Sequence, residues 1–503
     1  MVKKALLIGL AVIAAACLAV ALYARSVLSS ESVRKTLEEQ LTAQLGRPVR
    51  IGSAGASIFP RVSLELRTVT VGNDDARLDR ISLSTGLRGL FSRRIEDAEV
   101  VAADGRLAVD AALAIAANSR PTAPASAGSA TVTLVSIRSI ALDNVDIAAG
   151  ESTFSVDLLS SLAGDRLAVS RLSAKSARTE LEGSGEVNTH TGDMRFEVNA
   201  DPLDLDELLT LASSFSSSDT TARQDGGPSS PVKLQLSVKA PRGKFAGYDF
   251  TECTAQVTAA GSSVTLPALG FKIFGGQFAG ALNLDASGAT PRMQLRGKAN
   301  GIDVTQLATA AGKAGSISGQ LGADLNVTTA GANMDAMLRG AHGTADAAIT
   351  NGVIPGLEMV RTIVLAFGKP SGAPPQGSGS AFTRLAGTFS IGNGTLATNN
   401  LTFASRDFDM NGRTSLHVAS GALDATTNVV LSKELTAQAG TDLRRVAQSD
   451  GRVIVPARIS GTLANPQISP DLVAATQRAI ENELKRRAKG LFDDLFKKKK
   501  GGG

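Results

Sequence analysis

The residue types that most often do chemistry are few in this chain, and they stand far apart. The chain has 503 residues and only three histidines, His190, His342 and His417, none of which has a partner at metal-ligand spacing. It has no Gly-x-Ser-x-Gly nucleophile elbow, no phosphate-binding loop ending in Gly-Lys-Ser/Thr, and no His-Glu-x-x-His zinc motif. We therefore expect a protein that is not an enzyme and that holds no metal or cofactor.

Weaker chemical signals also have structural interpretations. The aspartates of Asp143–Asp146 and Asp407–Asp409 are predicted to lie at strand ends, where turn chemistry explains them without calcium. Gly275–Gly280 is too loose for a dinucleotide-binding fingerprint, and no helix is predicted after it. Cys17 lies in the apolar N-terminal run and Cys253 in the body of the chain, so the two are not expected to pair. This excludes a disulfide framework.

The net charge of +5 comes from the end of the chain. Between Arg478 and Lys500 there are nine Lys/Arg and four Asp/Glu, so the remaining residues sum to zero. A nucleic-acid-binding protein needs a basic face, and base stacking needs aromatic side chains. A neutral body with no Trp and two Tyr argues against a nucleic-acid partner.

The N-terminus carries one candidate membrane span. Ala5–Ala24 is an uncharged apolar run long enough to cross a bilayer as a helix, and Lys3 and Lys4 before it favour a cytoplasmic N-terminus. We expect a retained single-pass inner-membrane anchor with the body in the periplasm, since the run exceeds the apolar core of about 7–15 residues in signal peptides. A cleaved signal peptide with its site at Ala19–Ala21, and a lipoprotein at Cys17, are the alternatives.

Beyond the anchor, two long helices are predicted. Ser30–Leu45 carries an apolar stripe every fourth residue and ends at Gly46, so it packs on a sheet edge or contacts a partner helix. Pro470–Phe496 has the pattern of an amphipathic helix and leads into four lysines. This second helix either caps the body or binds an anionic membrane surface. The membrane-surface candidates are Lys497, Lys498, Lys499 and Lys500.

The rest of the chain reads as short strands. Apolar and polar residues alternate over stretches such as Val62–Leu66 and Leu321–Val327, with turn residues such as Gly392–Gly394 between strands. This pattern predicts antiparallel meanders, with no βα alternation that would build a parallel sheet. Met194–Leu208 aligns with Met293–Leu307, each reading as a strand that leads into a short helix, so either the body repeats or the likeness is chance.

Composition divides the chain into seven parts. In the first repeat copy, Asp201 is the predicted helix N-cap and Pro202 the first helical residue. The parts are a cytoplasmic stub and anchor (1–25), an N-terminal α+β region (26–117), a linker (118–130), a β region with the first repeat copy (131–212), a second linker (213–231), a C-terminal β region (232–470), and the amphipathic helix with its basic tail (471–503).

Motifs in this order resemble the AsmA family. The resemblance covers the anchor, about residues 29–110 and about residues 230–475, while residues 111–230 are only compatible with it. The motifs that carry it are Gly46–Gly52 (GRPVRIG), Ile58–Pro60, Val69–Asn73, Phe382–Thr395 (FTRLAGTFSIGNGT), Leu401–Ser405, Asp409–Gly412, Val455–Pro466 and Pro470–Asp471.

The resemblance implies a location and a role. Members of the family are inner-membrane-anchored periplasmic proteins of outer-membrane biogenesis, linked to outer-membrane protein assembly and to phospholipid movement between membranes. Larger members look like bridge-like lipid transfer proteins. The family has no catalytic residue to carry over, and it implies an outer-membrane or assembly-machinery partner.

Physical reasoning leads to the same kind of function. Alternating strands have one apolar face, and a chain with few helices must close that face on another sheet or curl it into a groove. We expect a mainly β, elongated antiparallel meander curled into a β-taco-like groove that holds phospholipid acyl chains. The alternatives are a non-catalytic scaffold or regulator of outer-membrane protein assembly, and a hydrolase of envelope glycans or lipids. The candidate groove residues are Leu64, Leu66, Leu234, Leu236, Leu282, Leu284, Leu325 and Val327.

Overall fold

A computed structural model gives the fold. It describes residues 30–45, 47–57, 61–72, 76–86, 94–95, 97–108, 133–134, 136–149, 152–208, 232–288, 290–331, 333–367, 375–377, 379–438 and 452–471, with five separate helical positions from 473 to 488. The predicted anchor Ala5–Ala24, the linkers 118–130 and 213–231 and the tail Lys497–Lys500 lie outside these residues. Within them, no helix has the length and apolar character needed to cross a membrane.

The chain forms two compact units, Met1–Leu266 and Pro267–Gly503, and the division falls within strand β15 (Ser263–Ile273). The described elements of the first unit are helix α1 (Ser30–Leu45) and strands β1 (Val49–Ser57), β2 (Val62–Val71), β3 (Ala76–Thr85), β4 (Arg94–Ile95), β5 (Ala98–Ala108), β6 (Thr133–Leu134), β7 (Ile137–Ala149), β8 (Ser152–Ala163), β9 (Arg166–Lys175), β10 (Glu180–Asn188), β11 (Met194–Ala200), β12 (Leu203–Asp204), β13 (Lys233–Phe245) and β14 (Tyr248–Ala260).

The sheet of the first unit is mixed, which corrects the expectation of a purely antiparallel meander. Neighbours pair antiparallel except at two places, where β5 pairs parallel with β7 and β11 pairs parallel with β13. The short strands β4 and β6 also pair parallel. Each of the two main parallel pairs flanks one of the predicted linkers. A parallel pair needs a crossover connection of a dozen residues or more, which is what these two stretches of chain supply.

Helix α1 covers the edge of this sheet, as the apolar stripe predicts. Leu37, Leu41 and Leu45 are buried in a core that includes β1 and β2. The backbone N–H of Val49 donates to Thr42 Oγ1 at 2.9 Å, and that of Ile51 donates to Glu38 Oε1 at 2.7 Å. Unpaired edge groups invite pairing with other chains, so these side chains protect the start of the edge strand.

The second unit is a run of strands in sequence order. All pairings described from β16 to β25 are antiparallel. The elements are β16 (Gly276–Asp285), β17 (Arg292–Asp303), α2 (Val304–Ala310), β18 (Gln320–Ala330), α3 (Met334–Gly340), β19 (His342–Ile354), α4 (Met359–Phe367), β20 (Ser380–Gly392), β21 (Thr395–Ala404), β22 (Phe408–His417), β23 (Leu423–Leu431), α5 (Lys433–Gln438), β24 (Ile454–Thr462) and β25 (Asn465–Pro470).

The two repeat copies share one local structure, but the predicted cap was wrong. In the first copy the N-cap is Asp204, which accepts the backbone N–H of Glu207 at 2.9 Å, and Asp201 lies outside the helical turn. In the second copy Asp303 accepts from Thr305 and Gln306 at 2.7 and 3.2 Å. Each carboxylate follows a strand and satisfies the first free N–H groups of a helix.

The aspartates of Asp143–Asp146 also differ from their prediction, because they lie inside β7 and not at its end. Asn144 between them has a φ of 54° and sits where the pairing of β7 with β8 shifts register. Its side chain donates to Asp104 Oδ1 at 3.0 Å, and its backbone N–H donates to Asp157 Oδ1 at 2.8 Å. These polar residues therefore stabilise a β-bulge.

Glu99 joins four segments around the first parallel junction. Arg61 Nη1 donates to Glu99 Oε1 at 2.6 Å, Ser84 Oγ donates to Oε2 at 3.3 Å, and Arg138 lies 3.6 Å away. The hydrogen bond from Arg61 is the main cause that lowers the pKa of Glu99 below its ordinary value. The ionised carboxylate therefore stabilises the fold above the ordinary glutamate pKa, and this stabilisation is lost as the pH falls through the lowered value.

Replacing Glu99 with Gln is expected to lower the free energy of unfolding at pH 7 by about 1 kcal/mol, the upper range for partly exposed ion pairs. The deficit should shrink as the pH is lowered from 7 toward 3, because the native carboxyl group then loses its charge as well. Urea unfolding of the full chain at several pH values measures both effects.

The matched control is Glu65→Gln, since the ion pair found for Glu65 among the described residues joins it to Arg67, whose side chain is exposed. It should change the unfolding free energy by less than about 0.5 kcal/mol at any pH. An equal deficit for Glu99→Gln at pH 7 and pH 3 would contradict the role of its charge.

Candidate functional site

A cavity of about 450 Å³ lies in the second unit, bounded by β18–β25, helix α2, Ile317 and Leu357. We call it the apolar groove. Thr414 is the one polar side chain among those that line it, and its hydroxyl donates to the backbone oxygen of Asp424 at 3.3 Å. The described lining therefore offers no free polar side chain, and the volume is within the range of ligand sites.

The register of the strands from β18 to β23 explains where this space comes from. Residues paired across an antiparallel ladder lie on one face of the sheet, so each set of partners forms a row across the strands. One row has large apolar side chains, namely Leu321, Ile349, Leu385 and Phe403. Another large row contains Val327, Ile391, Leu396, Leu416 and Leu423, with Gly343 in the same ladder.

Alanines occupy several of the positions between these two rows. Ala323 pairs with Ala347, and Leu325 pairs with Ala345, which in turn pairs with Phe389. Ala323, Ala345 and Ala347 all line the groove. The backbone spacing of a sheet does not shrink when its side chains are small, so alanines between larger neighbours leave room above the sheet.

A packed core closes one side of the groove. Phe403 stacks on Phe408 with ring centroids 5.1 Å apart, and Phe382 lies 5.3 Å from Phe403. Met359 and Ile363 of α4 join this core and are 0 % and 1 % exposed. Phe403 belongs both to this core and to the groove lining, so the filled and the open parts of the face are continuous.

The predicted groove residues are spread over different environments. Leu325 lines the groove, and Val327 lies half-buried on the same face of β18. Leu282 pairs with Leu295, which pairs with Val327, so it shares that face on β16. Leu284 pairs with Met293 and is half-buried.

The remaining four candidates lie in the first unit. Leu234 and Leu236 are half-buried on β13, opposite Met194 and Phe196 of β11. The other two, Leu64 and Leu66, are 2 % and 3 % exposed and pack in the closed core beneath α1. Alternation identifies the apolar face of a strand but not what covers it, which is why these two leucines do not line the groove.

Sequence reasoning missed the alanines and most of the large residues around the groove. Ala345 alternates with polar residues on β19, and Ala347 is followed by another alanine. Their distinguishing signal lies in their partners on the neighbouring strands: Ala345 is a small side chain between Leu325 and Phe389, and Ala347 stands between the small residues Ala323 and Gly387. That signal becomes visible only when the register is known.

The histidines and carboxylates do not form a second site. His342 Nδ1 lies 2.6 Å from the backbone oxygen of Gly340, and His417 Nδ1 lies 3.0 Å from Ser420 Oγ. His190 is exposed, and none of the three lines the groove. Across the part of the chain that is described, no cluster of His, Cys, Asp or Glu is arranged to hold a metal ion.

The C-terminal region is helical at each of its five described positions beyond residue 472. Three of these are large apolar residues, and Val473, Ile480 and Leu484 are 70 %, 58 % and 61 % exposed. An apolar stripe is therefore left without a packing partner in the described structure. The lysines predicted to meet a membrane surface, Lys497–Lys500, lie beyond the described residues.

Comparison with known proteins supports the resemblance seen in the motifs. The family model described as the AsmA family matches residues 161–401, which include β9–β20 and the small-residue rows of the groove. The matched range includes residues 161–230, where the sequence has no motif of its own that indicates the family. No curated protein and no solved structure gives a significant match. The family match, together with the mainly β fold, supports an AsmA-family protein.

Proposed function

We propose that the protein binds the acyl chains of phospholipids in the apolar groove and contributes in this way to outer-membrane biogenesis. The observation that carries the proposal is the groove itself, a space of about 450 Å³ whose one polar lining side chain is already hydrogen-bonded. The match to the AsmA family agrees with an envelope role.

The chemistry of the lining selects the part of the lipid that fits. Each methylene group moved from water into the groove is worth about 0.8 kcal/mol. A phosphate headgroup in the same place would lose its hydration and find no free side-chain donor among the residues that line it. The acyl chain therefore lies in the groove, and the headgroup stays in water at its rim.

No covalent step belongs to this proposal. The protein acts passively, by giving an acyl chain an apolar surface outside the bilayer, which lowers the barrier to leaving the inner membrane. Ala5–Ala24 anchors the chain in that membrane, and the body lies in the periplasm. The positive residues before the apolar run and the length of the run support this orientation.

One observation favours a scaffold role as the second candidate. Val473, Ile480 and Leu484 expose apolar side chains on the C-terminal helix, as a surface for an outer-membrane assembly factor would. Under this alternative the groove holds no lipid, and crosslinking in cells should trap a protein on the helix.

Replacing Ala347 with Leu should reduce the phospholipid that co-purifies with the full chain after gentle extraction. The larger side chain fills the row of small residues from inside the groove, and it introduces no polarity. Mass spectrometry of extracted lipid gives the amount per protein molecule, which should fall severalfold.

The control is Ala348→Leu, the same change at the next residue. Ala348 faces the opposite side of β19, in a polar depression with Asp346 and Arg384. Its lipid content should equal that of the unmodified protein, and thermal unfolding should show both variants folded. Equal lipid loss in both variants, or lipid-free unmodified protein, would falsify the proposal.

A photoreactive benzoylphenylalanine at position 325 should crosslink to phospholipid in living cells, because Leu325 faces the groove. The same residue at position 326 should not, since Asn326 is exposed on the other face of β18. The adduct is detected as radiolabelled lipid attached to the purified chain. Labelling at 326 as strong as at 325 would mean nonspecific contact with membranes.

The proposed orientation has its own test. Protease added to spheroplasts should degrade the body of the chain, while intact cells should protect it, because the outer membrane shields the periplasm. A body that survives in spheroplasts until the inner membrane is permeabilised would place it in the cytoplasm.

A further inference from the structure

One segment forms part of the wall of the apolar groove and packs against the core beside it. This segment, Val304–Gly319, consists of α2 and the loop that follows, and we call it the α2 loop. Its ends meet, because the backbone N–H of Val304 donates to Gly319 O at 2.9 Å. A stretch of this length with joined ends is an Ω-loop, a compact unit of chain that often has a functional role.

The α2 loop is tied to the sheet at its base. Ser318 N–H donates to Val353 O at 2.9 Å, and Val353 N–H donates back to Ser318 Oγ at 3.0 Å. Asp303, the last residue of β17, caps the helix that begins the loop. These bonds fix the loop to β17 and β19 and leave its other end to be held by side-chain packing.

Within the loop, hydrogen bonds make a self-contained body. Lys313 N–H donates to Ala308 O at 2.7 Å, and Ala311 N–H donates to Leu307 O at 3.0 Å. Ser316, which is 1 % exposed, donates its hydroxyl to Lys313 O at 2.7 Å. Because these bonds run inside the loop, it can move as one piece about its base without breaking them.

The inner face of the loop is apolar and forms part of the groove. Val304, Leu307 and Ile317 line the groove, and Leu307 is also 37 % exposed to solvent. Apolar contacts are not directional, so an acyl chain can replace them at little cost. Leu307 touches both the groove and the solvent, so it marks the rim.

The tip of the loop reaches the turn between β22 and β23. A Cβ atom added at Gly421 would lie 3.5 Å from Lys313 Cε, which places the half-buried lysine stem against this turn. Gly312 and Gly315 have φ values of 70° and 72°, which the tip requires and which glycine adopts without strain. The loop therefore starts between β17 and β18 and ends against β22–β23, across the groove.

We propose that the α2 loop is the gate through which an acyl chain enters and leaves the groove. Opening about the base separates Lys313 from the turn at Gly421 and uncovers the apolar lining at Leu307 and Ile317. The inference rests on the proposed lipid-binding function. It adds where an acyl chain enters the groove and which segment controls its entry. The gate opens by losing the contact at its tip and the apolar contacts of Ala308 and Ile317 with the core, and a local opening of this kind costs less than unfolding of the whole chain.

Locking the gate tests this directly. Cysteines replace Lys313 and Ala422, the exposed residue after Gly421, in a full chain that also carries Cys17→Ser and Cys253→Ala. The protein is purified with its lipid and joined at the two new cysteines by a short thiol-cleavable cross-linker. Exchange is followed as uptake of a fluorescent phospholipid from vesicles of phosphatidylethanolamine and phosphatidylglycerol.

The cross-linked protein should keep its original lipid and should exchange it at about one tenth of the normal rate or slower. Cleaving the linker should restore the normal rate. The Ala422→Cys protein, which keeps Lys313 and has no second cysteine to join, should exchange at the unmodified rate after treatment with the same reagent. A second variant, Leu307→Ala, removes an apolar contact of the gate and should exchange faster than the unmodified protein.

Two results would contradict the proposed gate. They differ in whether the proposed lipid-binding function also fails. If the cross-linked and uncross-linked proteins hold lipid and exchange it equally fast, the lipid passes elsewhere and the lipid-binding function stands. If none of the proteins, including the unmodified one, carries lipid, the proposed function fails and the gate fails with it.

Discussion

The hydrogen-bond register of β18, β19 and β20 is the constraint on which the groove depends. It aligns Ala323 with Ala347 and Ala345 with Leu325, between two rows of larger apolar residues. A slip of one residue would turn every side chain to the other face of its strand. Asp324 and Asp346 would then face the groove in place of alanine and leucine, and an acyl chain would meet charges.

The apolar face of the strands is closed in the first unit and partly open in the second, because different elements cover it. In the first unit, α1 lies over Leu64 and Leu66 and fills the space above them, so that face is a closed core. In the second unit, α4 and the phenylalanines fill one side of the face and leave the alanine rows open. The difference is one of side-chain volume above the sheet.

Polar side chains in the described structure mainly hold the sheet together. Glu38 and Thr42 satisfy the edge of β1, Asn144 stabilises the bulge in β7, and Glu99 joins segments around the parallel junction. Each of these groups is already engaged in a backbone or side-chain interaction. These polar residues therefore have structural partners, whereas the apolar groove is a space that the described side chains do not fill.

Local patterns in the sequence were enough to predict many of the elements, but not helices α3, α4 and α5. Alternation identified β2 and β18, the stripe every fourth residue identified helix α1, and Gly392–Gly394 identified a turn, because each signal acts between residues close in the chain. The resemblance to the AsmA family also followed from motifs read in order. Leu325 was found as a groove residue by the same alternation.

Only the tertiary structure decided which apolar faces are open. Pairings such as that of β5 with β7, the packing of α1 on Leu64, and the alignment of Ala345 with Phe389 join residues far apart in the chain. A period of two says which side chains share a face, but it contains no information on the neighbouring strand or on what lies above it. The groove arises from that long-range register, which is the physical reason that the sequence alone could predict its chemistry but not its place.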